Sequence, residues 1–469
     1  MLYRRTILLL IIFAPFLSSA NAADGTTWKA GTAKIIITPA TPIWMSGYGG
    51  RTRPAEGKLH DLWIKVLVLV DGEGHRAVVL SSDLLGIPQS IYNNTCATLK
   101  KKYGLERAQI MLNCSHSHCT PVLRGALYDV YPIEREHIDA INNYSDDLEK
   151  KIVATIGKAF SNLEPVRLSA GNGRADFGVN RRNNLEPDVP DLRKKNALRG
   201  PVDHSVPVLA VHSVDGTLKA VVFGYACHNT TVSFYKWCGD YAGFAQIALE
   251  KKHPNAVAMF YMGCGADQNP LPRRTVELCS QYGRKLATAV DEVLTKPMTP
   301  LKPTLQTELE LVTLNLGAEP TREELTKMTA GKRRSYIQRW ASRLLKQMDT
   351  GKPFIRTYPY PVQVWMLGGQ QIWITLGGEV VVDYSLGFKK QYGQNTWVAG
   401  YCNDVMCYIP SLRVLEEDVP PRASSRWGYE GNRSMIVYGM PAHRWADDIE
   451  LLISASVQRQ VKTLQKTAQ

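Results

Sequence analysis

The chain alternates short runs dense in β-branched and aromatic residues with longer stretches of helical periodicity, a pattern that few architectures accept. Residues 64–70, 77–81, 110–114, 218–225, 256–262 and 371–376 form runs of the first kind. They lack the polar alternation of a half-exposed strand, so strands covered on both faces are expected there. Helices are expected over 145–163, 243–252, 276–295, 322–348 and 441–465. The last places Ile449, Leu452, Ile453, Val457, Val461 and Leu464 at three-to-four-residue spacing, the mark of one buried face. Such interleaving predicts an α/β fold with a mixed β-sheet core flanked by helices. The acidic, proline-containing stretch 183–207 is expected to be a long loop of the kind that faces a ligand.

A composition of 44% hydrophobic and 21% charged residues excludes a disordered chain or a coiled coil as a global description. No internal repeat occurs, and no linker rich in Gly, Ser or Pro divides the sequence, so one large catalytic domain over 23–469 is expected. Ahead of it, Arg4 and Arg5 precede an apolar run over 6–17 and the small-residue pattern Ala20-Asn21-Ala22. This is the pattern of a cleaved signal peptide over 1–22, with an apolar run shorter than the ~20 residues a spanning helix needs. A secreted or periplasmic protein is the expectation.

The net charge is +13, reduced by two when Arg4 and Arg5 leave with the leader. An excess of this sign favours anionic surfaces through a sequence-independent field. An exported chain seldom meets nucleic acid, and none is expected as a partner. Lys332-Arg333-Arg334, Arg339, Arg343 and Lys346 concentrate the charge in the helix expected over 322–348. That helix is either a solvated face or a peripheral contact with a membrane surface. The nine cysteines have no CxxC spacing and are read as disulfides or buried thiols, with Cys402–Cys407 and Cys227–Cys238 as pairs that could bridge.

Chemistry gathers where the apolar runs end. Asp83, His116 and His118, His228, Asp267 and Glu379 each follow one of them, and in open α/β sheets ligands bind beyond the carboxyl ends of the strands. These groups are therefore candidates for one site. In Ser115-His116-Ser117-His118, an extended backbone would send both imidazoles to the same side. Two histidines and the glutamate of Gly377-Gly378-Glu379 make a donor set suited to an open zinc site, and the glycines permit the turn that presents the carboxylate. Loop histidines and a buried glutamate ion pair are the bland alternatives. His60, just before a strand, is expected beside the site; the other histidines are taken as structural or exposed. No GxSxG elbow, P-loop or GxGxxG motif is present, so serine-hydrolase and nucleotide chemistry lack support.

From about Lys29 to about Gly439 the sequence resembles the neutral/alkaline non-lysosomal ceramidase family, zinc amidases that split ceramide into sphingosine and a fatty acid. The resemblance is carried by Ala30-Gly31-Thr32-Ala33-Lys34-Ile35-Ile36-Ile37-Thr38-Pro39, Met45-Ser46-Gly47-Tyr48, Ser82-Asp83-Leu84, Ser115-His116-Ser117-His118, Asn180-Arg181, Ala226-Cys227-His228, Gly239-Asp240, Gly378-Glu379 and Tyr429-Glu430-Gly431. It implies His116, His228, Glu379 and Tyr408 as ligands of Zn2+. It also implies His118, Arg181 and Tyr429 as catalytic residues around the substrate carbonyl and the leaving amine, with hydrolysis by a zinc-activated water. The chain departs from the family where it reads Cys119-Thr120-Pro121, Asn229-Thr230-Thr231 and Tyr241-Ala242-Gly243, and no C-terminal immunoglobulin-like domain is expected. Three functions therefore stay open: a secreted ceramidase-like zinc amidohydrolase for ceramide or a related N-acyl lipid, a zinc hydrolase of another soluble or cell-wall amide, and a non-catalytic lipid- or polymer-binding relative.

Overall fold

A strand such as Trp-Ile-Lys-Val-Leu-Val-Leu-Val has no polar face and is stable only when both of its sides are covered. The protein, described by a computed structural model over residues 27–330, 335–417 and 428–467, covers both. Its main sheet is built from β1 (Trp28–Ile36), β2 (Trp63–Val70), β3 (Arg76–Ser82), β4 (Ile110–Cys114), β5 (Glu164–Arg174), β6 (Ser205–Ser213), β7 (Leu218–Tyr225) and β8 (Val257–Met262). Their order is β8-β7-β6-β5-β1-β2-β3-β4, with the short strand Thr299–Leu301 added to β5. The pairs β3–β4 and β7–β8 are parallel and the rest antiparallel, so the sheet is mixed.

Each parallel pair is joined by a helical crossover, α1 (Gln89–Tyr103) between β3 and β4, and the later α3 between β7 and β8. Helices α1, α2 (Arg135–Ser161), α3 (Asp240–Lys252) and α4 (Val276–Leu294) cover one face of the sheet. There Val66, Val68, Leu80 and Leu112 pack with Ile91, Ile152, Leu249 and Leu286. The alternate residues Leu67, Leu69, Val79 and Met111 point the other way and meet Trp365, Trp373 and Trp397. These tryptophans belong to a second sheet of β9 (Leu305–Asn315), β10 (Thr357–Leu367), β11 (Gln371–Leu376) and β12 (Trp397–Ala399). Strand alternation thus feeds two cores from one apolar run. Helices α5 (Arg322–Thr329), α6 (Tyr336–Asp349), α7 (Val382–Tyr392) and α8 (Ile449–Thr467) follow; α7 and α8 close the outer face of the second sheet. Among the described residues there is no separate immunoglobulin-like sandwich.

Several boundaries differ from the sequence expectation. Helix α2 begins at Arg135, because Glu134 and His137 form a capping box that a polar first turn conceals. The helix expected over 322–348 is two helices, and Ser335 and Gln338 form the capping box that starts the second. Helix α8 starts at Ile449, and the stretch 183–207 holds a short helix, Val189–Lys194. All nine cysteines are buried thiols; neither Cys402–Cys407 nor Cys227–Cys238 is bridged. Their sulfurs face different partners: Cys402 meets Asn113, Cys407 lies beside its neighbour's carbonyl, and Cys238 meets His60. The leader and Lys332-Arg333-Arg334 lie outside the described residues. No helix among the described residues is long and apolar enough to cross a membrane.

The main sheet curls until its two edge strands, β4 and β8, lie against each other. They are joined through the buried side chain of Asn113, whose Oδ1 accepts from Met262 N at 2.8 Å while Nδ2 donates to Gly400 O at 2.8 Å. Ser82 and Cys114 mark the end of the β3–β4 pairing directly beside it. Replacing Asn113 with Ala removes the side-chain acceptor of Met262 N and leaves Gly400 O with the weak Cys402 thiol as its donor, which costs about 1–3 kcal/mol. Urea unfolding of N113A is expected to show that loss. An unfolding free energy equal to the parent's would mean that the edges are held by other contacts.

Candidate metal centre

The segment after β4 delivers the first two imidazoles. Ser115 N and His116 N are held by the carbonyls of Ser82 and Leu84 at 2.8 and 2.9 Å, and His116 adopts φ +60°. The left-handed turn, not extended alternation, brings His116 and His118 to one cavity, with ring centroids 4.9 Å apart. A non-glycine residue in this conformation is strained, and such strain concentrates at functional sites. Gly47 lies so close to His118 that a Cβ there would come within 2.4 Å of the ring. Asn229 ties the neighbouring segment in: its Nδ2 donates to Ser115 O at 2.6 Å and its carbonyl accepts from His118 N at 3.2 Å. His228, the residue before it, is thereby fixed opposite His116.

Glu379 follows β11 of the second sheet and lies in a separate two-stranded pairing. Gly378, at φ +68°, makes the turn, and a Cβ there would lie 2.6 Å from Ile409 Cγ1. Glu379 then pairs in parallel register with Tyr408, so the two side chains reach the site together. Glu379 Oε2 lies 3.0 Å from His116 Nε2 and 3.1 Å from His228 Nε2. His118 Nε2 is 3.2 Å from His116 Nε2, and Tyr408 Oη is 3.3 Å from His228 Nε2. His116, His118 and His228 form a cluster able to hold a metal ion.

The hydrogen bonds of the far nitrogens separate the three imidazoles. His116 Nδ1 lies 2.7 Å from Leu85 O, and His228 Nδ1 lies 2.8 Å from Gly265 O. A carbonyl can only accept, so both Nδ1 atoms carry a proton, and a neutral ring in this tautomer presents its Nε2 lone pair to the Glu379 carboxylate. Burial first, and then the Arg181 charge, hold His228 down to about 4, so it does not protonate at neutral pH. Lone pairs and a carboxylate oxygen about 3 Å apart repel unless a cation lies among them, and this donor set fits a divalent metal. His118 differs: its Nδ1 is buried with no hydrogen-bond partner, and burial, then His116 and His228, pull its pKa well down.

Arg181 and Tyr429 stand on the same side of the cluster. Arg181 Nη2 donates to Tyr408 Oη at 3.1 Å, and its Nε donates to Glu430 Oε1 at 2.9 Å. The Tyr429 ring lies 5.2 Å from that of Tyr408, with Arg181 and Arg182 over it. The structure thus brings together His116, His118, His228, Glu379, Tyr408, Arg181 and Tyr429. It does not bring in Asp83 or Asp267. Asp83 accepts from Trp63 N at 2.9 Å, and Asp267 accepts from Val382 N at 3.0 Å, so both carboxylates hold backbone turns. His60 is also elsewhere, against Cys238. Sequence reasoning missed Tyr438, whose hydroxyl donates to Glu379 Oε1, and Tyr401, whose hydroxyl is 3.4 Å from Oε2. Neither carries a local motif, because each acts through a contact made only in the fold.

The sequence profile described as neutral/alkaline non-lysosomal ceramidase, N-terminal, matches residues 28–265, half of the chain, and the protein belongs to that family. Neutral ceramidases A and B of Dictyostelium discoideum are 25% and 23% identical to it over 245 residues. The match spans 50% of this chain and only 33% of either relative. The crystal structure of neutral ceramidase from Pseudomonas aeruginosa superposes with a TM-score of 0.66 at 19% identity, over 93% of this chain and 75% of that one. A ceramidase complexed with C2 gives 0.64 at 17%, over 92% and 76%. These likenesses show the fold beyond the profile match as well, across the second sheet and the segments after it that carry Glu379, Tyr408 and Tyr429.

Tyr438 fixes one carboxylate oxygen and leaves the other facing the histidines. Hydrogen-bonding partners of ligands typically contribute 10–100-fold in metal affinity, and Tyr438→Phe is expected to weaken divalent-ion binding by roughly that factor. Competition with a chromophoric chelator measures it. Affinity equal to the parent's would show that Oε1 needs no partner.

Proposed function

We infer that the protein is a zinc-dependent amidohydrolase that cleaves the N-acyl amide bond of ceramide or a related N-acyl lipid. The observation that carries this reading is the facing of His116 Nε2, His228 Nε2 and Glu379 Oε2 within 3.0–3.1 Å, with Tyr408 completing the set. A zinc ion held by these residues supplies Lewis acidity and lowers the pKa of water from 15.7 to roughly 7. The chain's own residues then do the rest. Arg181 and Tyr429, on one side of the cluster, bind the substrate carbonyl and stabilise the negative charge that develops on its oxygen. His118 is neutral at pH 7 and has a free Nδ1, so it takes up a proton and returns it to the departing amine nitrogen.

A second reading, a zinc hydrolase of a soluble or cell-wall amide, is favoured by the departures at Cys119-Thr120, Asn229-Thr230-Thr231 and Tyr241-Ala242, which lie beside the histidines. Export by the leader belongs to the same proposal, as does membrane contact through the basic segment. Arg339 donates to the carbonyls of Asp129 and Val130, and Arg343 to the Asp129 carboxylate, so these two arginines are held within the fold. Membrane contact then depends on Lys332, Arg333, Arg334 and the exposed Lys346, and reversing their charge is expected to reduce sedimentation with anionic vesicles. Unchanged sedimentation would remove membrane contact from the proposal.

Amine release from N-acyl substrates ranging from acetyl amides to ceramide, before and after zinc stripping and readdition, tests the activity. Zinc-dependent release is expected. Release by the stripped enzyme, or none by the reloaded enzyme, would contradict the reading. His118→Ala is expected to lower kcat by about 10²–10⁴-fold while zinc content stays intact. An unchanged kcat would remove His118 from proton transfer.

A further inference from the structure

His116 and His228 are anchored by the carbonyls on their Nδ1 atoms, whereas the Nδ1 of His118 is buried without a partner. Something else must set the direction of that ring. Gly47 lets the backbone lie against it, and the Tyr48 ring meets it edge-on with centroids 4.7 Å apart. Tyr48 is itself fixed, because its hydroxyl donates to Val232 O at 2.9 Å and to Thr230 O at 3.2 Å. The remaining contact comes from Arg51. Its Nη2 donates to the His118 carbonyl at 2.7 Å and its Nη1 to the Phe234 carbonyl at 3.0 Å. The guanidinium lies 5.4 Å from the centre of the Tyr48 ring and 5.1 Å from that of Tyr235.

Arg51 is only 4% exposed, and its Nε is buried without a partner. No carboxylate among the described residues pairs with it. A buried cation without a counter-ion is costly, and a tie between two carbonyls alone could be made by a neutral amide. What a guanidinium adds is a rigid planar fork that bonds both carbonyls while lying over aromatic rings. Arg51 thereby links the backbone of His118, the tyrosine against the His118 ring, and the segment that follows His228. We propose that Arg51 is a positioning residue for His118, fixing the direction from which this imidazole faces His116, His228 and Glu379. Its consequence for turnover rests on the amidohydrolase reading, in which His118 moves the proton. Its cause is geometric. Without Arg51, the His118 carbonyl loses its donor and Tyr48 loses the cation over its face, so neither the backbone nor the ring beside His118 stays held.

Arg51→Met keeps the length of the side chain and removes its charge and donors. Combined with His118→Ala in the full chain, it makes a double-mutant cycle. Arg51→Met is expected to lower kcat for amine release by about 10–100-fold, the scale of a ~1 Å misplacement, with KM and zinc affinity at the parent's values. In the His118→Ala background the same change is expected to leave kcat as it is, because no imidazole remains to be positioned. An equal further drop there, as a generally weakened fold would give, would overturn the proposal. Arg51→Lys keeps the charge and one donor, and is expected to recover part of the loss. Crystal structures of both variants and the parent, grown alike, read the same role without turnover. The His118 ring is expected to turn away in Arg51→Met, and less in Arg51→Lys, while His116, His228 and Glu379 stay in place. A His118 ring at the parent's position in both would overturn the proposal whatever the kinetics. A parent that releases no amine would contradict the amidohydrolase reading instead, and the ring position would then decide the role of Arg51.

Discussion

The buried amide of Asn113 is the interaction on which the rest of the structure depends. A mixed sheet ordered β8-β7-β6-β5-β1-β2-β3-β4 would by itself leave β4 and β8 far apart, with His116 beyond one edge strand and His228 beyond the neighbour of the other. Asn113 joins β4 to Met262 of β8 and to Gly400 beyond β12, so both edges and the second sheet meet at one point. Few other side chains could do this, because the point needs one donor and one acceptor on a planar group with no room for water. The candidate metal centre lies just beyond that junction, where three segments converge.

What they bring together is electrostatically incomplete. Carbonyls of Leu85 and Gly265 fix the proton on the outer nitrogen of His116 and His228, and the inner lone pairs then face a carboxylate. Burial keeps His228 from resolving the repulsion by taking a proton. The fold has stabilised this arrangement through many distant contacts and has left a place where positive charge is favourable. His118 lies in the same cluster with neither a fixed tautomer nor a partner on Nδ1, which suits it to move protons.

Much of this was legible in the sequence, and the limits are physical. The strands were readable because covered strands leave uninterrupted apolar runs, and His116, His228 and Glu379 were readable because each follows such a run. Position after a strand does not give side-chain direction, however, and so Asp83 and Asp267, at equivalent places, hold backbone turns instead. The HxH spacing suggested the right convergence for a different reason, since His116 turns through the left-handed region. Tyr438 and Tyr401 could not be found at all, because their contact with Glu379 spans elements whose packing no local pattern encodes. The capping boxes at Glu134 and Ser335 were present in the sequence, and reading them would have corrected α2 and divided the 322–348 helix.

The family profile covers only part of the site. The profile match ends at residue 265 and includes His116, His118, Arg181 and His228, whereas Glu379 and Tyr408 come from a two-stranded pairing beyond it and Tyr429 from the helical segment that follows. The central claim is that these parts hold one zinc ion between them. Anomalous diffraction at the zinc edge, from crystals of the protein grown with stoichiometric zinc, tests it most directly. The account predicts a single strong peak at about 2.0–2.2 Å from His116 Nε2, His228 Nε2 and Glu379 Oε2. A peak elsewhere on the protein, or none among the histidines, would contradict it.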